Sequence, residues 1–141
     1  MGIFSSAPET ISEVSPDQII QLFKEEGFTA ELATLSSGKP FIRFKVEGFN
    51  SAIYFYSEKE DKSGFYRSIQ FSAGFRDKLS LDKANQWNRE RRFVKVYVDT
   101  DGDLSFDQDI SLDGGVSKKF LLERIGDWRG FFSSVLAFVS R

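Results

Sequence analysis

Residues 41–56 read Phe-Ile-Arg-Phe-Lys-Val-Glu-Gly-Phe-Asn-Ser-Ala-Ile-Tyr-Phe-Tyr, and their order decides the fold class. Ile42, Phe44 and Val46 alternate with Arg43 and Lys45, and after Glu47-Gly48-Phe49-Asn50 the pair Ile53 and Phe55 alternates with Tyr54 and Tyr56. A period of two belongs to a strand with one buried face and one wet face. Gly and Asn between the two runs are what a chain reversal needs, so the stretch predicts an antiparallel hairpin.

Upstream, Phe28, Ala30 and Leu32 alternate in the same way and lead through Ser36-Ser37-Gly38-Lys39-Pro40 into the hairpin. Downstream, a charged loop from Glu58 to Ser63 precedes a strand over Phe65 to Phe75, with Phe65, Ile69, Phe71, Ala73 and Phe75 inward and Tyr66, Ser68, Gln70 and Ser72 outward. Helix signals flank these strands. Ser15 before Pro16, with Gln18 and a Val14/Ile19 staple, opens a helix from Pro16 to Glu26 that stops at Gly27. Ser80 caps a second helix to about Glu90, with Leu81, Ala84 and Trp87 inward. Phe93 to Val98 then reads as a strand, and Thr100-Asp101-Gly102-Asp103 as a two-residue hairpin into Leu104 to Leu112. Asp113-Gly114-Gly115 breaks the sheet, and Ser117 caps a last helix carrying Leu121, Ile125, Trp128, Phe132, Val135 and Val139 on one stripe. The expected fold is α+β: an antiparallel sheet of five to six strands with helices before, between and after them, in the order α-ββββ-α-ββ-α. It forms a single domain over residues 15–141, preceded by a flexible leader over residues 1–14. The leader contains Met1-Gly2 followed by Ser6, which fits a short myristoylation pattern; the plain leader reading is preferred.

Composition narrows the chemistry. The chain has neither histidine nor cysteine, which removes the commonest general base, the commonest metal ligand and every thiol nucleophile. With 19 basic and 21 acidic residues it carries no electrostatic footprint for nucleic acid, and no apolar run suits a membrane. A cytoplasmic protein without cofactor or metal is the expectation. Asp99, Asp101 and Asp103 invite a calcium reading, but Leu104 and Ile110 stand where an EF-hand needs Gly and Glu, so Asp101-Gly102 reads as a hairpin tip. Ser-x-x-Lys occurs at Ser36/Lys39 and Ser80/Lys83, about as often as chance gives. Gly114 and Gly115 serve a sheet-to-helix reversal and need no anion. Arg89, Arg91, Arg92 and Lys95 with Trp87 read first as a solvated basic helix end, and second as a site for an acidic ligand. No catalytic residue emerges.

The run Asn85-Gln86-Trp87-Asn88-Arg89-Glu90-Arg91-Arg92-Phe93, then Val96 to Leu104 and Leu112-Asp113-Gly114-Gly115-Val116, resembles the YbjN domain family, as does Ile69-Gln70-Phe71 with Gly74-Phe75. The likeness extends from about Pro16 to Val139. It implies a bacterial regulator of sensory transduction with a fold similar to type III secretion chaperones. Relatives carry a cysteine pair near the places where this sequence has Ser57 and Tyr66, so the resemblance does not carry a redox role over to it. Asn85 and Asn88 read as structural: their amides satisfy backbone groups where the helix ends and the Phe93 strand begins, with Arg92 bonded to carbonyls or to an acidic side chain.

The functional expectation is a non-catalytic regulatory or chaperone-like module holding another protein or a peptide segment, with Tyr54, Tyr56 and Tyr66 as the wet contact surface. The competing reading is a small-ligand or anion-binding protein, or a carboxylate-based enzyme. Phe120, Phe131 and Phe138 share one line along the last helix. They either pack within the subunit or form the edge of an isologous homodimer.

Overall fold

The computed structural model describes residues 10–141. In chain order these form β1 (Thr10–Ile11), α1 (Pro16–Glu25), β2 (Ala30–Thr34), β3 (Pro40–Val46), β4 (Phe49–Lys59), β5 (Lys62–Lys78), α2 (Leu81–Glu90), β6 (Lys95–Val98), β7 (Asp103–Ser111), β8 (Val116–Ser117) and α3 (Lys118–Val139). Each helix starts at the serine that predicts it. Ser15 Oγ accepts from Gln18 N at 3.3 Å while Gln18 Oε1 accepts from Ser15 N at 3.0 Å, a complete capping box. Ser80 and Ser117 accept from Lys83 N and Phe120 N at 3.1 and 3.0 Å. The order is that of an α+β domain with an antiparallel six-stranded sheet, β2-β3-β4-β5-β7-β6.

One face of this sheet is covered. Ile42, Phe44, Ile53, Ile69, Phe71 and Phe106 are buried on it, and α3 supplies most of the opposing layer, with Phe23 of α1 against Phe44 at 4.8 Å. Trp128 and Phe132 of α3 are fully buried; the Trp128 ring stacks on Phe71 at 5.5 Å and tilts against Phe106 at 5.6 Å. A buried indole N–H needs an acceptor. It donates to Ser51 Oγ at 2.9 Å, and Ser51 Oγ donates on to Ser72 O at 2.9 Å, so the indole is satisfied through a small side chain inside the core.

The domain reaches further toward the N-terminus than the expected boundary. Thr10 and Ile11 pair with Ser117 and Val116, and Val14 is buried and exchanges backbone bonds with Tyr66 at 2.9 and 2.8 Å. Glu13 bridges Lys59 and Lys62 at 2.8 and 3.0 Å; these ammonium groups hold its carboxyl below the usual carboxylate range. Of the expected leader, Thr10 to Val14 is therefore paired structure, while residues 1–9, with the Gly2 pattern, lie outside the described residues. A Cβ on Gly115 would strike the Thr10 side chain, so this glycine admits the close approach of β1.

Four further local expectations are corrected. The charged loop after β4 is only a tight turn, because β4 runs to Lys59 and β5 starts at Lys62. Leu81 is 75% exposed, since α2 turns its inward stripe on Ala84 and Trp87 while its first residue projects past the sheet. The Asp99–Asp103 reversal has three residues between its ends: Asp99 N donates to Asp103 O at 2.8 Å, with Gly102 at φ 84°. Phe93 precedes the strand: at φ 76° it is a left-handed corner between α2 and β6, and it is 69% exposed.

The two edges of the sheet differ. Along β6, Asn88 acts as a substitute strand: its amide Nδ2 donates to Val96 O at 2.7 Å and its Oδ1 accepts from Val96 N at 3.0 Å. Trp87 Nε1 donates to Val94 O at 2.8 Å one step earlier. These bonds take up Val94 O and both outward backbone groups of Val96, which an edge strand would otherwise leave open. Among the described residues, no strand pairs with the outer edge of β2.

Two stability outcomes follow from this packing. Trp128→Ala removes the stacked layer and leaves Ser51 Oγ with only its bond to Ser72 O, and should cost about 3–5 kcal/mol in urea unfolding, as large core truncations do. Asn88→Ala leaves Val96 N–H and C=O without their partner and should cost about 1–3 kcal/mol; an unchanged midpoint would show that water replaces the amide.

Candidate functional site

Among the described residues, no helix covers the face of the sheet away from α3. Alternation from the buried residues places Phe41, Arg43 and Lys45 of β3 on it. Register then adds Tyr54 opposite Phe41, Gln70 opposite Tyr54, Asp109 opposite Gln70, and Ser72 opposite Asp107. Tyr56 and Tyr97 complete the set, 49% and 38% exposed. The Phe41 and Tyr54 rings lie 5.7 Å apart. Beside them, small side chains at Ala52 and Ser72 leave a depression of about 210 Å³ that Arg43 and Asn50 also line.

The polar groups on this face order one another. Asp107 is only 4% exposed, and its two oxygens accept from Ser72 Oγ at 2.6 Å and Tyr97 OH at 2.8 Å. Gln70 Nε2 donates to Asp109 Oδ1 at 2.9 Å and Tyr56 OH reaches Gln70 Oε1 at 3.5 Å. Burial, followed by the hydrogen bond to Asp107 and that carboxylate's charge, pushes the Tyr97 hydroxyl up to about 12. Tyr54 and Tyr56 are also raised, by burial first and by the negative charge of Asp107 second. The phenols therefore stay protonated, and the face offers fixed rings, hydroxyl donors and carboxylate acceptors, a chemistry suited to recognition.

Of the residues singled out from sequence, Tyr54 and Tyr56 lie on this face and Tyr66 does not. Tyr66 is buried against Phe55 at 5.3 Å. Pairing passes from Tyr56–Ser68 to Glu58–Tyr66 with Ser57 at φ 60°, and the alternation of β5 slips between Tyr66 and Ile69. Trp87 is a core residue, as its stripe predicts, and Asn88 plays the backbone-satisfying role expected of it; Asn85 is exposed one turn earlier on α2 and does not share that role. Arg89 and Arg92 are exposed at the end of α2, and Arg92 stacks over the Phe93 ring at 5.4 Å in place of the expected carbonyl or acidic partner. Gly102, Gly114 and Gly115 have φ of 84°, 83° and 87° and serve their turns.

Asp99, Asp101 and Asp103 converge within 4.8 Å, but the Lys78 ammonium already bridges Asp103 at 3.1 Å and bonds Asp101 O. Two backbone N–H groups also donate to Asp99 Oδ1 at 2.8 and 2.9 Å, as a hairpin tip requires. The line of rings on α3 is divided. Phe138 is buried against Trp87 at 5.4 Å, Phe131 packs on Phe93 at 5.9 Å, and Phe120 lies under Arg124 at 4.7 Å. Phe138 is thus no part of an exposed edge, because α2 folds over the end of α3. Sequence reading missed Phe41, Gln70, Ser72, Tyr97, Asp107 and Asp109; the signal was the polar alternation Ser105, Asp107, Asp109, Ser111, which marks one wet strand face without saying which rings stand beside it.

The Tyr97 pair has a pH signature. The folded state holds this proton more tightly than an unfolded tyrosine near 10, so its contribution is complete below about pH 10 and is lost as pH rises through about 12. The stability gap between wild type and Tyr97→Phe, followed by urea unfolding at stepped pH, should shrink across that window. A constant gap would place the Asp107 bond outside the folding equilibrium.

No curated protein matches the sequence. Residues 15–130, well over half of the chain, match the family model YbjN, described as "putative bacterial sensory transduction regulator". The chain, with its α2–β6 corner built on Trp87 and Asn88, belongs to the YbjN family.

Proposed function

We propose that the protein is a regulatory module that binds a partner protein, holding a segment of it against the open face of the six-stranded sheet. The observation that supports this reading is the ordered group of Phe41, Tyr54, Tyr56 and Tyr97 around the Asp107 network. An antiparallel sheet ordinarily leaves one face to water, but such a face does not require four aromatic rings. Tyrosine gives contact area at low entropic cost and retains a polar tip, and aromatic residues are enriched where proteins meet.

A second reading has one observation of its own. A cleft of about 660 Å³ beside the start of β2 is lined by Arg43, Lys45 and Arg129, with Glu31 the only acidic residue, and this composition suits a small anion.

Affinity capture from the native host with wild type, Tyr56→Lys/Tyr97→Lys and Glu123→Lys as baits tests the first reading. A specific protein should be held by wild type and by the Glu123 variant on α3, and lost by the double variant while its circular dichroism shows it still folded. Retention by the double variant would overturn the assignment of the face, and recovery of no specific protein would count against a protein partner altogether.

A further inference from the structure

We infer that β2 is a self-pairing edge: it joins β2 of a second copy about a two-fold axis, giving one continuous antiparallel sheet of twice six strands. The evidence begins with the difference between the two edges. Asn88 and Trp87 seal β6 at Val94 and Val96, whereas β2 has no such side-chain seal, proline or bulge, and its one charged residue, Glu31, is paired with Arg43 on the neighbouring strand.

The register shows which groups are free. Leu35 N donates to Lys39 O at 2.8 Å, so the bonded pairs along the hairpin are Leu35 with Lys39, Ala33 with Phe41 and Glu31 with Arg43. Thr34 stands opposite Pro40, which has no N–H and fits a position without ladder bonds. The N–H and C=O groups of Ala30, Leu32 and Thr34 therefore point outward. Leu32 also has its side chain 52% exposed, on the same side of the sheet as its fully buried neighbour Ile42. The core row ends at a half-covered leucine.

A second copy of Ala30–Thr34 complements this edge without adjustment. Centred on Leu32, antiparallel pairing sets Leu32 against Leu32 of the other copy, Ala30 against Thr34, and Glu31 against Ala33. All three outward residues find bonding partners, two leucines extend the core row, and no like charges meet, since the Glu31 carboxylate is held by Arg43 at 3.0 Å. A two-fold axis through such a pair stands normal to the sheet, so the two open faces lie on one side. A five-residue strand spans only about 17 Å, less than a standard interface needs, so the association is of micromolar order.

The test uses purified protein and does not depend on the partner proposed above. Sedimentation velocity over a micromolar series should show a monomer–dimer equilibrium. Leu32→Pro removes one outward N–H and leaves the bonds to β3 intact, and Leu32→Lys opposes two charges; each should weaken dimerisation about tenfold or more at unchanged circular dichroism. The chain has no cysteine of its own. Leu32→Cys therefore places two thiols across the axis at a Cα separation of about 5.5 Å, within disulfide range, whereas Thr34→Cys does not. Oxidation should cross-link the first variant and leave the second monomeric under denaturing electrophoresis. A wild type that stays monomeric throughout the series, a folded Leu32→Pro that dimerises as wild type does, or equal cross-linking of the two cysteine variants would overturn the inference.

Discussion

The structure depends on how α3, with α1 beside it, closes one face of the sheet. Trp128 and Phe132 of α3 lie on Phe71 and Phe106, the rings of β5 and β7 at the middle of the strand order. Flat rings packed at these distances remove much apolar area from water per residue, which is the main favourable contribution to folding. The indole nitrogen costs nothing only because Ser51 is inside the core to accept from it. With only one helical layer, the opposite face of the sheet remains in contact with solvent, and this asymmetry makes a recognition surface possible.

The same asymmetry runs along the sheet. The segment that carries the family resemblance, Asn85 to Phe93, has a structural task. Its Trp87 and Asn88 close the β6 edge with side-chain bonds that a neighbouring strand would otherwise supply. Phe93 takes the left-handed corner that this closure requires, at φ 76°, and its ring rests on Phe131 of α3. The opposite edge lacks such a closure.

On the open face, charge and aromaticity are distributed unevenly. Arg43 and Lys45 stand on β3, Asp107 and Asp109 on β7, and the rings of Phe41 and Tyr54 between them. Asp107 is nearly out of solvent and orients the Tyr97 and Ser72 hydroxyls, and burial, with its charge second, raises the pKa of the phenols around it. A partner meets side chains that are already placed, which lowers the entropic cost of binding.

Local order was legible in the sequence. The three serine caps, the alternation of Ile42 to Val46 and Ile53 to Phe55, the inward Trp87 and the glycines of the turns all follow from interactions within a few residues, where stereochemistry leaves few alternatives. They were enough for the α+β class and the order of its main elements. What remained hidden depends on residues far apart in the chain. Thr10 and Ile11 form a strand only because Val116 and Ser117 are beside them, and two residues show no periodicity to read. Tyr66 obeys the alternation of its own stretch until the interruption at Ser57, on a different strand, turns it into the core. Phe138 matches its helical neighbours in sequence and is buried because α2 crosses it. Tyr97, Asp107 and Ser72 meet because β7 lies between β5 and β6. The sequence alone determined which faces are apolar; only tertiary packing decided which of them stay uncovered, because strand order and register are set by the competition of all the faces for burial at once.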